Sequence, residues 1–152
     1  MIVDTIFPVS LIVVNLTCAI KACISDHKSR TISNSLCKTL FVINSIAACY
    51  YDYVFQSATT TFVIFSVFIL MWLVGCFGAG DIKLLCAFTI GIKPDITIAF
   101  LVMVGLLGGV QVTIMYLAGI ASSKKVFEKG IPYGIPISIS GLVFSTISFL
   151  SF

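Results

Sequence analysis

Charge is scarce in this chain. Only 10% of its 152 residues are Asp, Glu, Lys or Arg, against about 25% in a soluble domain. Six acids, one histidine and one tryptophan are present. A water-facing globular surface cannot be assembled from so little, and 59% of the residues are apolar, with a mean hydropathy of +1.16. The lone histidine, His27, excludes an H-E-x-x-H zinc peptidase and leaves no other base for a Ser-His dyad. A G-x-S-x-G elbow is also missing. No two of the six cysteines (Cys18, Cys23, Cys37, Cys49, Cys76, Cys86) form a C-x-x-C pair, so they read as small packing residues, and neither a metal nor a cofactor is expected. The apolar stretches are continuous rather than alternating, which excludes a transmembrane barrel. The net charge of +3 is spread over short connections, where it orients helices, so nucleic acid is not an expected partner.

What is present is a series of apolar runs that need lipid as their solvent. A bilayer core about 30 Å thick takes about 20 residues of helix. The expected spans are Ile2–Ile24, Leu36–Tyr51, Ala58–Phe77, Ile82–Ile92, Ile96–Ala121 and Ile131–Phe152. The fold class is therefore all-α, a polytopic transmembrane helix bundle of about six spans, with residues 1–152 as one domain. Ile82–Ile92 rises only about 16 Å at about 1.5 Å per residue, so it crosses only if Gly78–Asp81 lies below the membrane surface. Pro94 divides it from the next span. The first run has no basic stretch before it and no small-x-small cleavage site after it, so a permanent span is expected.

Basic residues set the orientation. Lys21, Lys28, Arg30, Lys38, Lys83, Lys124, Lys125 and Lys129 fall on one side of this arrangement and only Lys93 on the other. The positive-inside rule then puts both termini outside. Gly105 with Gly109, and Gly130 with Gly134, make G-x-x-x-G spacings. These suit close helix packing within the chain, with a homo-oligomer as the alternative use.

The acids can be taken singly. Asp4, Asp52 and Asp95 fall at outer ends or loops, and Glu128 sits among lysines. Asp26 and Asp81 differ, because both reach the same inner boundary from segments 55 residues apart. Alone, Asp81 reads as a helix N-cap and Asp26 as an interfacial charge beside Lys28 and Arg30. Together they suggest a pair at membrane depth, where an ionisable group is a functional hypothesis. Two neighbouring carboxyls share a proton. One can then deprotonate a water while the other polarises a peptide carbonyl. Their titration belongs to the pair, so neither is assigned acid or base. Gly78 and Gly80 would let a substrate strand come close. His27 would tune the local charge, and Ser138 and Ser140 read as packing residues.

These residues also carry a resemblance. Gly78-Ala79-Gly80-Asp81-Ile82-Lys83-Leu84-Leu85 resembles the G-x-G-D signature of type IV prepilin peptidases. Asp26 with Arg30 and Ile32-Ser33-Asn34 is similar to the family's first aspartate motif, with Ser33 where proline often stands. Ile131-Pro132-Tyr133-Gly134-Ile135-Pro136-Ile137 looks like the segment opening its last helix. The length is similar to the short, CpaA/TadV-like branch of tight-adherence (Flp) pilus systems. The resemblance implies an aspartic endopeptidase of the bacterial inner membrane with Asp26 and Asp81 catalytic. It implies removal of a short, basic leader, after a glycine, from Flp-type prepilins and pseudopilins at the cytoplasmic face. Lys83, Asn34, Pro132, Tyr133 and Gly134 would bind substrate or shape the site, although Lys83 serves orientation equally well and Asn34 reads first as the cap of the second span. The zinc domain of the longer, methylating branch has no counterpart here, so methylation is not expected. The alternative function is a non-enzymatic scaffold or small transporter using the same aspartates for packing or ion coupling.

Overall fold

The computed structural model describes residues 2–75, 77–122 and 132–151. Cys76, Lys124, Lys125, Glu128, Lys129, Gly130, Ile131 and Phe152 lie outside the described residues, as does the side chain of Asp4. Among the described residues six helices follow in chain order: α1 (Ile2–Ser29), α2 (Asn34–Tyr50), α3 (Val54–Leu73), α4 (Ala79–Thr89), α5 (Pro94–Ser122) and α6 (Gly134–Leu150). The fold is all-α. Among the described residues three stretches are long and apolar enough to cross a membrane, Ile6–Ser29, Val54–Leu73 and Pro94–Gly119. Their sides expose large apolar groups, among them Phe55, Phe62, Leu73 and Ile98, the pattern expected of chains bathed in lipid rather than water.

Several boundaries move from those expected. α1 runs five residues past Ile24 and so carries Asp26 on regular helix. α3 begins and ends four residues earlier than Ala58–Phe77, which frees Val74–Gly78 as a connection in which Gly75 takes a positive φ of 81°. α5 opens on Pro94, whose missing N–H is no loss in a first turn.

The shortest helix is the most enclosed. Ile82 and every residue from Leu84 to Thr89 are buried, with Leu84, Leu85 and Phe88 fully so. α4 packs against α2, α3 and α6, while α1 lies on α2 and α6. A Cβ on Gly141 of α6 would overlap the Phe88 ring, so this glycine sets the α4–α6 approach.

Side chains from other helices hold the far end of α4. Asn44 Nδ2 donates to the Ala87 carbonyl (2.8 Å), Tyr53 OH to Gly91 O (2.8 Å) and Ser57 Oγ to Ile92 O (2.9 Å). Asn15 Nδ2 donates to Asn44 Oδ1 (3.0 Å), which ties α1 into the same network. A helix end inside a bilayer leaves carbonyls that no water can satisfy, and these donors serve them.

The G-x-x-x-G expectation is corrected in part. Cβ atoms built on Gly105 or Gly109 would meet nothing within 4 Å, so this pair faces outward and packs no helix of its own chain. The contact is made by Gly108, whose Cβ would lie 3.1 Å from the Tyr133 ring.

Candidate active site

Asp26 lies in the penultimate turn of α1 and is 4% exposed. Its Oδ2 accepts the Gly134 N–H at 2.8 Å, at the first residue of α6. A helix N-terminus offers free donors and partial positive charge, so the carboxylate is fixed by a partner 108 residues away in sequence. That approach explains Gly134, where a Cβ would sit 2.7 Å from Asp26 Oδ2 and 2.9 Å from its Cγ. The turn before it is secured by Gln111 of α5, whose Nε2 donates to the Pro132 carbonyl at 2.9 Å.

Asp81 stands in the first turn of α4, half-buried, with Gly78 as the cap residue in extended conformation. The N-cap expectation for Asp81 is thus corrected. Its carboxylate turns back over Gly78, while its N–H donates to the Gly78 carbonyl at 3.1 Å. A Cβ on Gly78 would lie 2.8 Å from Asp81 Oδ2. Gly80 is different: its nearest neighbours are Ile32 atoms at 3.6 Å or more, ordinary contact, so the fold itself does not demand a glycine there.

Three cross-links bring the two aspartates to one place. Phe77 stacks on Tyr133 with ring centroids 4.7 Å apart and meets Phe68 edge-on at 5.0 Å, which fixes the connection before Gly78 beside the turn before Gly134. Gly80 faces Ile32, in the segment just after α1, where a Cβ on the glycine would lie 3.6 Å from the Ile32 side chain. Lys83 Nζ donates to Asn34 Oδ1 at 2.9 Å, joining the first turns of α4 and α2. Asp81 lies within electrostatic reach of the Asp26 carboxyl. The Asn34 expectation is corrected here: Ser33 is the cap, its Oγ accepting the Leu36 N–H at 3.2 Å. This also accounts for a serine where the resembled family often has proline.

Charge around the pair is uneven. Arg30 and His27 both act electrostatically on Asp26, and His27 itself is exposed. Arg30 takes a positive φ of 54°, costly for a non-glycine residue, and a buried guanidinium nitrogen of Arg30 has no hydrogen-bond partner. Ser138 and Ser140 are fully buried in α6, Ser138 beside the Cys23 thiol. No group of three or more metal-ligating side chains occurs among the described residues.

Sequence reasoning missed Gln111 and Phe77. Gln111 is a lone amide in an otherwise apolar helix, a signal that was available. Phe77 is one of 13 phenylalanines, and nothing in the sequence separates it from those that face lipid.

The fold and site define a class first: a membrane-embedded helical protein with two acids from distant segments gathered at one end of a central short helix. The chain belongs to the type IV leader peptidase family, whose model matches residues 13–113. The match contains both aspartates and stops before Pro132–Gly134. Membership makes the protein a peptidase and implies pilin-type substrates. No curated protein and no solved structure matches the chain.

Proposed function

We propose that the protein is an aspartic endopeptidase that removes the short basic leader of Flp-type prepilins and pseudopilins at the cytoplasmic face of the membrane. Asp26 and Asp81 hold one water and share one proton. The ionised member takes a proton from the water as it attacks the scissile carbonyl. The protonated member donates to the carbonyl oxygen, and the pair returns a proton to the leaving amine. The Gly134 N–H restricts the Asp26 carboxyl to one geometry, which is where positional catalysis gains most. Arg30 offsets the negative charge on the Asp26 side. Gly78 and Gly80 leave the approach to Asp81 free of side chains, while Pro132, Tyr133, Gly134, Asn34 and Lys83 shape its walls.

The observation that carries this reading is the meeting of Asp26 with the α6 N-terminus, one turn of chain from the Tyr133–Phe77 stack that positions Asp81. Family membership supplies the substrate class. The test is cleavage of a purified Flp-type prepilin by the reconstituted protein. Asp26→Asn and Asp81→Asn each lower the rate by at least about 10³-fold, in the range seen when members of a catalytic unit are removed, while both variants insert normally. Processing at the wild-type rate by either variant overturns the pair assignment.

A further inference from the structure

α6 opens with a gap in its hydrogen bonding that its own sequence creates. In a regular helix the Pro132 carbonyl would accept the N–H of the residue four positions on. That residue is Pro136, which has none. The next bond of the series is present, Ile137 N–H to Tyr133 O at 3.2 Å, and Tyr133 has helical backbone angles (φ −66°, ψ −17°). The Pro132 carbonyl thus stands in the place of a helix acceptor without its donor, and the Ile135 N–H reaches it only at 3.4 Å. Gln111 of α5 supplies what is missing, its Nε2 donating to Pro132 O at 2.9 Å. The amide is out of character for its surroundings. It lines a crevice of about 230 Å³ between α5 and α6 whose other lining side chains are all apolar, Pro136 among them. An amide among apolar walls in a membrane is costly unless it makes a bond. One turn away on α5, Gly108 admits the Tyr133 ring, since a Cβ there would lie 3.1 Å from it. α5 therefore holds both residues that precede Gly134.

We propose that Gln111 is a positioning residue: its amide replaces the N–H that Pro136 lacks and so fixes the first turn of α6, whose Gly134 N–H holds Asp26 at 2.8 Å. The inference rests on the peptidase reading for its effect on rate, and it adds a residue of α5 that never meets the reacting atoms. Without the Gln111 donor the Pro132 carbonyl is left unserved, the turn before Gly134 loosens, and the Gly134 N–H leaves the carboxylate. The order of dependence runs from Gln111 through Pro132 and Gly134 to Asp26.

The test uses two backgrounds. Gln111→Met keeps the length of the side chain and removes the donor. In the native background it lowers kcat for an Flp-type prepilin about 10- to 100-fold, as a displacement on the order of 1 Å at a catalytic group does, with KM held within about twofold. Pro136→Ala returns an N–H to the position that would serve Pro132 O. On that background the same Gln111→Met change costs less than about threefold, because the two donors are coupled through one acceptor. Hydrogen exchange at the Gly134 amide is read beside the kinetics. That N–H has no acceptor within its own helix, so its protection reports the bond to Asp26. Gln111→Met hastens the exchange in the native background and not in the Pro136→Ala one. Thr113→Val removes a neighbouring polar group of α5, exposed and bonded to Gly109 O, and leaves every reading unchanged. Equal losses on the two backgrounds overturn the proposal, since Gln111 then acts through packing. A fall in kcat with Gly134 exchange unaltered overturns it too, as do wild-type kcat and exchange in Gln111→Met. If Gln111→Met does not fold, Gln111→Leu, which also lacks a donor, is carried through the same comparison. A wild type that cuts no prepilin defeats the peptidase reading instead, and the exchange rates then decide the role of Gln111 by themselves.

Discussion

At the scale of single residues, the glycines near the aspartates divide into two physical kinds. Gly134 is a glycine because a carboxylate occupies the space of its side chain. Gly134→Ala must push Asp26 off the α6 N-terminus, and a displacement of about 1 Å at a catalytic group costs on the order of 10²-fold in rate. The same variant loses stability, because the buried Asp26 gives up its backbone donor. Gly80 has room for a methyl group, and a helical Gly→Ala change is worth up to about 1 kcal/mol of stabilisation. Gly80→Ala thus keeps or slightly raises the unfolding temperature in detergent while cleavage falls, provided the bare backbone serves substrate approach. Unfolding and cleavage assays on the two variants separate these roles. Full activity in Gly80→Ala would refute a substrate role for this glycine. The sequence pattern alone assigned Gly78 and Gly80 to substrate approach and Gly134 to helix packing and site shaping, because it records residue types and spacings and not which atoms press on which.

At the scale of elements, α4 has too little length to anchor itself, and its outer end depends on side chains lent by α2 and α3. Asn44 is the centre of that support. It is fully buried, receives Asn15, donates to Ala87 O, and lies so close to Gly91 that a Cβ there would come within 2.7 Å. Asn44→Ala strands the Ala87 carbonyl and the Asn15 amide, at a cost of about 1–2 kcal/mol for an interior hydrogen-bond network in a membrane protein. Because Asp81 rides on the same rigid helix, the variant also lowers kcat more than it changes KM. Steady-state kinetics beside thermal unfolding checks both, and a stability loss with unchanged kcat would show that α4 is not held in register from this end. The helices themselves were legible from apolar runs and from Pro94, and the shortness of α4 was visible in its length. The donors that compensate for that shortness were not, since Asn44, Tyr53 and Ser57 meet α4 only across 35 to 43 residues of chain. In the same way Asp26 and Asp81 could be paired from their common boundary, while the Gly134 N–H that fixes one of them depends on α6 returning to α1.

At the scale of the whole molecule, the arrangement stands or falls on which helix ends share a membrane face. α4 has 11 residues and rises about 16 Å, about half of a hydrocarbon core about 30 Å thick. A crossing at α4, if it occurs, needs the buried Ile90–Ile92 turn at one end, under Tyr53 and Ser57, and the Gly78–Gly80 entry at the other to complete it. That sinks Asp81 below the surface and needs α1 to carry Asp26 to the same depth, which its unbroken run to Ser29 achieves. The distribution of lysine and arginine leads to the expectation that this face is cytoplasmic, which labelling tests. The geometry can be mapped with single thiols in a background where Cys23, Cys49 and Cys76 are replaced by serine, because Cys18, Cys37 and Cys86 are buried. With a membrane-impermeant maleimide, Asp95→Cys labels in intact cells, whereas Ser29→Cys and Ala79→Cys label only after the membrane is opened. If Asp95→Cys shared the behaviour of Ala79→Cys, α4 would be a re-entrant segment and the topology would lose one crossing, with the aspartate pair unharmed. If Ser29→Cys and Ala79→Cys were reached from opposite sides, no water could lie between Asp26 and Asp81. The reaction would then have to be sought elsewhere in the chain.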